Sequence, residues 1–209
     1  MPGTGQPDAA LALLDPIRDA HGAHPAWLEL TARARMAAGR PAAAIRPLET
    51  LLAHQPSDPQ AHWLLGSALL AAERHADAVP HLVAASEAHP KSPAVLNSLA
   101  YARYRAGDPQ AEADARRALQ LAPDHPHVQD TLGTLLLDQG AAEEAVGLLE
   151  QAHRGRPDAA PVRYRYAEAL ARTERHEEAR RHLVSILENN DTPPETRARA
   201  RTLLDDLPP

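Results

Sequence analysis

The sequence lacks several residue types on which other classes of protein depend. None of its 209 residues is cysteine, which excludes disulfides, thiolate metal sites and cysteine nucleophiles. Phenylalanine is also absent, and there are only two tryptophans and four tyrosines. Alanine and leucine must therefore do most of the packing, which suits helices that approach one another closely. No strand-like alternation interrupts the chain, so we predict an all-α fold.

Basic residues are fewer than acidic ones. The chain has 22 Lys and Arg against 28 Asp and Glu, a net charge of −6. This sign is opposite to the basic footprint that phosphate backbones require, so we expect no nucleic-acid partner. No apolar run approaches the ~20 residues of a transmembrane helix, so we expect no membrane insertion. Residues 1–8 lack the features of a secretion signal, and both a cytoplasmic and a periplasmic location stay open.

Motifs that carry catalysis are also missing. Ser67 and Ser98 have no spaced His and Asp partners that would make a nucleophile, and there is neither a glycine-rich phosphate loop nor a zinc-protease motif. His125 and His127 flank Pro126 and could share a metal, but the sequence fixes no third ligand. We therefore expect no catalytic residue, no metal and no cofactor, and we predict that the protein is not an enzyme.

What is present is a repeat of about 34 residues. Pro56, Pro90, Pro123 and Pro157 close successive Ala/Leu-rich stretches at intervals of 34, 33 and 34 residues. Such spacing is typical of stacked helix pairs, which usually bind other proteins. We divide the chain into a flexible leader (1–8), a half repeat or N-terminal cap helix (9–24), five repeats (25–58, 59–92, 93–125, 126–159 and 160–191) and a C-terminal capping helix (192–209).

Small and large residues alternate at fixed places of the repeat. The twentieth place, or the nineteenth in the shorter third repeat, is alanine in all five repeats, and the twenty-fourth is leucine in four of them. The eighth place is always alanine or glycine: Ala32, Gly66, Ala100, Gly133 and Ala167. Because neither helix carries a bulky side chain where the two cross, we expect each pair to pack closely, with the leucines filling the layer.

Turn signals separate the two helices of each repeat. Gly39, Gly107 and Gly140 supply the left-handed residue that ends a helix, whereas Glu73 and Glu174 stand at the corresponding turns of repeats two and five. Repeat three is one residue shorter, so we predict a tighter inner turn there. After the last repeat, the Thr192-Pro193 pair predicts a helix cap followed by a first-turn proline.

This arrangement resembles the tetratricopeptide repeat family over residues 25–191. The matching residues are Trp63, Leu65, Gly66, Ala78, Leu82, Ala85 and Pro90 in repeat two, and Leu132, Gly133, Gly140, Ala145, Leu149, Ala152 and Pro157 in repeat four. The resemblance implies a right-handed superhelical solenoid of antiparallel helix pairs with terminal capping helices. It also implies that the first helix of each repeat lines a concave groove that binds another protein or a peptide segment.

Carrying the family's ligand-contacting places onto this chain gives a candidate groove. Its residues are Arg33, Trp63, Ser67, Asn97, Tyr101, Tyr104, Arg105, Asp130, Thr134, Tyr164, Glu168 and Arg172. Four of the six aromatic residues are among them, and Tyr and Trp are favoured as binding anchors. The alternative is that these aromatics cover the seam between adjacent first helices.

A narrower resemblance points to a cellular role. The segments 97–101, 107–109, 122–126 and 130–133 are similar to the C-terminal repeats of bacterial tetratricopeptide proteins linked to exosortase and exopolysaccharide systems. Our leading hypothesis is a non-enzymatic scaffold that binds a partner segment, in envelope or exopolysaccharide assembly if the narrower resemblance holds. The alternative is a structural arm of a longer enzyme or export protein without a ligand of its own. Self-association through exposed array ends is a third hypothesis.

Overall fold

Every regular element in the described part of the chain is an α-helix. The computed structural model describes residues 5–14 and 24–208, and the all-α prediction is confirmed within them. The twelve helices of these ranges are α1 Gly5–Leu14, α2 Pro25–Ala37, α3 Pro41–His54, α4 Pro59–Ala71, α5 His75–Ala88, α6 Pro93–Ala106, α7 Ala111–Leu121, α8 Pro126–Asp138, α9 Ala142–Gly155, α10 Ala160–Arg172, α11 His176–Glu188 and α12 Pro194–Asp206.

The chain divides into two compact halves. The N-terminal half ends at Ala111, and the C-terminal half begins at Glu112, inside α7. At the start of the chain, α1 begins at Gly5, within the segment expected to be a leader, and ends at Leu14. The rest of the predicted cap helix lies in residues 15–23, outside the described residues.

Prolines and short polar residues start the helices. Pro59 is the first residue of α4, a position where the missing N–H would have no intrahelical partner. Asp58 caps that helix, since its carboxylate accepts a hydrogen bond from the Gln60 N–H at 2.9 Å. Ser92 caps α6 in the same way, through the Val95 N–H. The link between repeats thus ends one helix and begins the next.

The inner turns share one backbone conformation whether or not glycine is present. Gly39, Gly107 and Gly140 have φ of +69°, +75° and +86°. Glu73 and Glu174, the residues that replace glycine in repeats two and five, have φ of 59° and 61°. An L-residue pays a steric cost in this left-handed region. The geometry of the repeat therefore holds these glutamates in a conformation that glycine adopts at a lower steric cost.

The prediction of a tighter inner turn in repeat three is wrong. Four residues, 107–110, connect its two helices, whereas three connect the helices of the other repeats. The shortening falls instead on α7, which has 11 residues, while the other second helices have 13 or 14. The Asp108 carboxylate accepts a hydrogen bond from the Gln110 N–H at 2.9 Å, which orders the longer turn.

The paired helices pack closely, as predicted, but in repeats two and four the small residue at the eighth place meets the bulky leucine at the twenty-fourth place and not a second small residue. A Cβ added to Gly66 would lie 2.5 Å from Cγ of Leu82, and one added to Gly133 would lie 2.8 Å from Cγ of Leu149. Both leucines are fully buried. Glycine is thus present because the leucine of the facing helix occupies the space of a side chain.

Both ends of the array are covered by additional helices. In the N-terminal half, α1 packs against α2, and the Trp27 indole N–H donates to the Leu14 carbonyl at 3.2 Å. In the C-terminal half, α12 packs against α10 and α11. Its apolar residues and the Leu207 that follows it lie in one cluster with residues of α10 and α11: Ala200, Leu203, Leu204 and Leu207 pack with Tyr164, Ala167, Leu183 and Ile186. The predicted capping helix is therefore present.

The start of α12 differs from the prediction. Pro193 occupies the cap position, and the helix begins at Pro194. Thr192 does not cap it: its hydroxyl is buried and donates to the Ile186 carbonyl at 2.9 Å. The threonine therefore closes the end of α11, because that carbonyl has no partner further along its own helix.

Candidate partner-binding surface

The first helices of the N-terminal half lie side by side. α4 contacts α2 on one side and α6 on the other. Places 5, 9 and 12 or 13 of a helix fall on one side of it because of its 3.6-residue period. The predicted groove residues of this half therefore share one face, which we call the N-terminal face. It consists of Arg33, Trp63, Ser67, Asn97, Tyr101, Tyr104 and Arg105.

Tyr101 is the centre of a small polar and aromatic cluster on this face. The Arg105 guanidinium donates to the Tyr101 hydroxyl at 2.9 Å, and the Tyr104 ring centroid lies 6.4 Å from that of Tyr101. His75 meets the Tyr101 ring edge-on at 6.0 Å. Burial, followed by the charge of Arg105, lowers the pKa of His75. Both tyrosines are partly exposed and Arg105 is exposed, so the cluster can contact a partner.

Trp63 and Asn97 occupy the fifth place of neighbouring first helices. Trp63 packs against the core cluster of the N-terminal half and is only partly exposed. Its indole Nε1 and the Asn97 Oδ1 are both enclosed, and neither has a hydrogen-bond partner among the described residues. An enclosed polar group without a partner costs about 1–3 kcal/mol. On the same face, Arg33 pairs with Glu29 of its own helix at 2.7 Å.

The corresponding face of the C-terminal half carries a partly buried ion pair. Asp130 on α8 and Arg165 on α10 form two parallel hydrogen bonds, Nε to Oδ1 at 3.0 Å and NH2 to Oδ2 at 2.8 Å. Only 7% of Asp130 is exposed. The Thr134 hydroxyl donates to the Asp130 carbonyl oxygen at 2.7 Å. These two predicted groove residues thus have partners within the chain.

The remaining predicted residues of that face are also engaged. Tyr164 is 7% exposed, and the Arg199 guanidinium of α12 lies over its ring, 4.5 Å from the centroid. Burial, followed by the charge of Glu168, raises the pKa of Tyr164. Arg172 donates to the Leu137 carbonyl at 2.7 Å and to the Glu168 carboxylate at 2.6 Å. Tyr164 therefore covers the seam between α10 and α12.

A polar bridge at the fourth place of the repeat was missed by the sequence reasoning. In repeats two, four and five, the side chain at this place reaches a proline carbonyl six residues earlier and also a residue on the second helix of its own repeat. The bridges are His62 to Pro56 and His81, Gln129 to Pro123 and Gln151, and Arg163 to Pro157 and Ser185. The only sequence signal was a polar residue where repeats one and three carry leucine.

Two histidines and a tyrosine pack together in the C-terminal half. His182 of α11 meets Tyr166 of α10 at 4.9 Å and His153 of α9 at 5.3 Å between ring centroids. Burial, followed by the charge of Arg163, lowers the pKa of both histidines. The neutral rings therefore act as packing groups that join three helices.

The His125–His127 pair is not arranged as a metal site. The Arg156 guanidinium lies 3.3 Å from Nδ1 of His127, and burial together with this cation lowers the pKa of His127. Across residues 5–14 and 24–208, no group of three or more His, Asp or Glu side chains is placed to hold a metal ion. No helix in those ranges is long and apolar enough to cross a membrane.

Helix pairs that recur about every 34 residues, with their first helices forming one face, define a helical repeat protein. One sequence model of the tetratricopeptide repeat matches residues 3–48, 30–82 and 67–126, and a second matches residues 136–207. The chain belongs to the tetratricopeptide repeat family, whose repeats form protein–protein interaction scaffolds. The family prediction is confirmed.

Similar proteins agree with this fold. The chain is 32% identical over 105 residues to bacteriophage adsorption protein A of Escherichia coli (strain K12), an alignment that covers 50% of this chain and 9% of that protein. TTC0263, a thermophilic TPR protein of Thermus thermophilus, has a TM-score of 0.66 at 22% identity, covering 83% of this chain and 95% of its own. YrrB, described as a TPR protein with an unusual peptide-binding site, has a TM-score of 0.60 at 16% identity, covering 92% and 93%.

Proposed function

We propose that the protein is a non-enzymatic scaffold whose N-terminal face binds a segment of another protein. One observation carries this proposal: Tyr101 and Tyr104 are partly exposed next to the exposed Arg105, whereas Asp130 and Tyr164 at the corresponding places of the C-terminal half are buried. The peptide-binding site named for YrrB, a protein of similar fold, supports this proposal.

The chemistry of the N-terminal face suits a segment with one apolar and one acidic side chain. Tyrosine rings offer a large contact area at a low cost in conformational entropy. The Arg105 guanidinium has donors beyond the one used by the Tyr101 hydroxyl, and it can present them to a carboxylate. The Arg105 position at the end of α6 places that contact at the edge of the face.

Affinity capture with matched variants tests this proposal. A double variant, Tyr101→Ala with Tyr104→Ala, should lose a specific partner from a lysate of the source organism because both anchors are removed. The matched control is Glu87→Ala with Lys91→Ala, two exposed residues outside this face. Equal recovery of that partner with both double variants, each folded by circular dichroism, would exclude the N-terminal face.

A second candidate function is a structural arm of a longer protein. The observation that favours it is the length of bacteriophage adsorption protein A, of which this chain matches 9%. An antibody to the chain should then detect a native protein much larger than 22.5 kDa. A native protein of that mass, which still recovers a partner through the N-terminal face, would contradict the structural arm.

A role in envelope or exopolysaccharide assembly is a more specific form of the scaffold proposal. It is supported by the narrower resemblance of residues 97–133 and by the name of the matched Escherichia coli protein, since adsorption of a bacteriophage takes place at the cell surface. Fractionation of source cells should place the native protein with the envelope. Recovery only in the soluble cytoplasmic fraction would contradict this role.

Self-association is tested independently of these proposals. Light scattering at several protein concentrations measures the mass of the species in solution. A mass that rises with concentration would support association of the array ends, and a constant monomeric mass would exclude it.

A further inference from the structure

The last helix of the described chain has the features of the first helix of a repeat. α12 begins with a proline, as α2, α4, α6 and α8 do. Its fourth residue is Arg197, and this is the place that carries the polar bridge in repeats two, four and five. α10 and α11 pack against α12, but no described helix follows it that could serve as its second helix. Arg197 therefore occupies a bridge position at which one of the two usual partners is missing.

Arg163 of α10 makes the complete bridge with the same type of side chain. Its NH2 group donates to the Pro157 carbonyl at 2.8 Å, and its NH1 group donates to the Ser185 hydroxyl on the second helix. In Arg197 the NH2 group also donates to a carbonyl of the preceding link, that of Asn189, at 2.7 Å. Its NH1 group has no hydrogen-bond partner among residues 5–14 and 24–208. This donor is therefore available to an acceptor on another molecule.

A cavity and a second arginine lie next to this donor. Arg201 stands one turn after Arg197, so the two side chains are neighbours on the surface of α12. Arg201 is exposed, and its guanidinium has no partner among the described residues. The cavity, which we call the α12 cavity, has a volume of about 520 Å³ and is lined by Asn190, Thr192, Pro194, Arg197, Ala198 and Arg201.

The positive charge of this cavity is not balanced within the described chain. None of its described lining residues is acidic. The acidic residues nearest in sequence are exposed, and none of them forms an ion pair with either arginine: Asp191, Glu195 and Asp205. Like charges four residues apart on a helix repel each other. A bound carboxylate would reduce this repulsion and would accept charge-assisted hydrogen bonds, so the cavity favours an acidic ligand.

We propose that the α12 cavity binds an acidic peptide segment of another protein, with Arg197 and Arg201 donating to its carboxylates. The cavity is larger than a single carboxylate group requires, and Pro194 and Ala198 add apolar surface for the stem of a glutamate side chain. The carboxylate takes the part that the Ser185 hydroxyl has in the bridge of Arg163. The site lies in the C-terminal half and does not depend on binding at the N-terminal face.

Nuclear magnetic resonance of the isotope-labelled full chain, titrated with hexaglutamate at low salt, tests the site. At about pH 6 glutamate is still ionised. The Nε–H signals of Arg197 and Arg201, assigned by their absence from the Arg197→Gln and Arg201→Gln variants, should shift and reach saturation. Arg201→Gln should lower the affinity about fivefold or more, because one of two cationic donors is lost. It should leave the melting temperature unchanged, because that guanidinium has no partner among the described residues. Shifts that do not saturate, or an unchanged affinity in Arg201→Gln, would overturn the proposal.

A charge-matched control separates the α12 cavity from the effect of net charge. Arg154→Gln with Arg181→Gln removes two exposed arginines of the same half that do not line the cavity. This variant should bind hexaglutamate as the wild type does, whereas Arg197→Gln with Arg201→Gln, shown to be folded by circular dichroism, should lose saturable binding. Equal losses of affinity in the two double variants would mean that the cavity has no specific role, and the proposal would be wrong.

Two other ligands and one further variant define what the cavity binds. Hexalysine should not shift the two arginine signals, and inorganic phosphate should bind less tightly than hexaglutamate. Phosphate that binds as tightly as hexaglutamate would overturn the assignment to a peptide. Arg105→Gln should keep the saturable shifts at α12, because Arg105 belongs to the N-terminal face. Loss of those shifts in Arg105→Gln would contradict a separate site in the C-terminal half.

Discussion

At the scale of single residues, the inner turns show how strictly the repeat imposes its backbone. Glu73 and Glu174 adopt the left-handed conformation that Gly39, Gly107 and Gly140 adopt elsewhere. The sequence located these turns but could not predict their conformation, because glutamate by itself favours other regions. Neighbouring helix pairs, and not the local residue, decide the geometry at this point.

Replacing Glu73 with glycine should stabilise the protein. The change removes a steric cost of about 1–2 kcal/mol, which is partly offset by the greater freedom of glycine in the unfolded chain. We expect a net gain of about 0.5–1 kcal/mol in the free energy of unfolding by urea. The control, Glu87→Gly within α5, should lose about 1 kcal/mol. A loss at both positions would contradict the account of the turn.

Gly133 and Gly147 make a matched pair for the packing of helix against helix. A Cβ on Gly133 would meet Cγ of Leu149 at 2.8 Å, whereas a Cβ on Gly147 would meet nothing within 4 Å. Gly147→Ala should therefore stabilise the chain by about 0.5–1 kcal/mol through helix propensity. Gly133→Ala should destabilise it by about 1 kcal/mol, because Leu149 must shift. Urea unfolding measures both, and equal gains would contradict the close packing.

At the scale of helices, the residues that recur in each repeat could be predicted from the sequence. The side-chain contacts that differ from one repeat to the next could not. Three features predicted which helices pair and how closely they approach: the prolines, the small residue at the eighth place, and the leucine represented by Leu82 and Leu149. The bridge from His62 to Pro56 and His81 depends on three segments that meet only after folding. A polar residue at one place of a helix does not indicate by itself which carbonyl it will reach.

The histidine cluster of the C-terminal half should make stability depend on pH. Burial lowers the pKa of His153 and His182 below their usual 6.5 in the folded chain. The unfolded chain then binds protons more readily, so stability is complete above about pH 6.5 and falls as the pH drops below it. Around His182, Arg163 and Arg181 add to this shift while Glu178 opposes it.

A urea series from about pH 7.5 to about pH 5.5 measures this dependence. The unfolding midpoint should fall over that interval, and His182→Gln should reduce the fall because one titrating group is gone. Gln55→Ala, an exposed residue that does not titrate, serves as the control and should leave the pH dependence of the midpoint unchanged. If the unfolding midpoint of His182→Gln depends on pH as strongly as that of the wild type, the histidine cluster is not the cause of the dependence.

At the scale of the whole molecule, the predicted binding residues differ between the two halves. In the C-terminal half, Asp130 and Tyr164 already have partners in Arg165 and Arg199. The place of a residue in the repeat predicted which face it shares, but not whether a neighbour within the chain would engage it. That outcome depends on long side chains two helices away, which the family pattern does not fix.

The ion pair of the C-terminal half should contribute to stability. Asp130→Asn keeps the shape of the side chain but removes the charge opposite Arg165. We expect a loss of about 1–3 kcal/mol in the free energy of unfolding, since the remaining guanidinium is partly buried. Asp158→Asn, an exposed residue between α9 and α10, should change it by less than about 0.5 kcal/mol. Equal changes in the free energy of unfolding for Asp130→Asn and Asp158→Asn would mean that the ion pair contributes little to stability.

The central claim is that the N-terminal face is the surface that contacts a partner, and photo-crosslinking in source cells tests it most directly. A photoreactive amino acid replaces Ser67 or Tyr101 on this face, Glu168 in the C-terminal half, or Glu87 outside both. We predict that one partner is crosslinked from positions 67 and 101 and that none is crosslinked from positions 168 and 87. The same partner crosslinked from position 168 or 87, and not from 67 or 101, would contradict it.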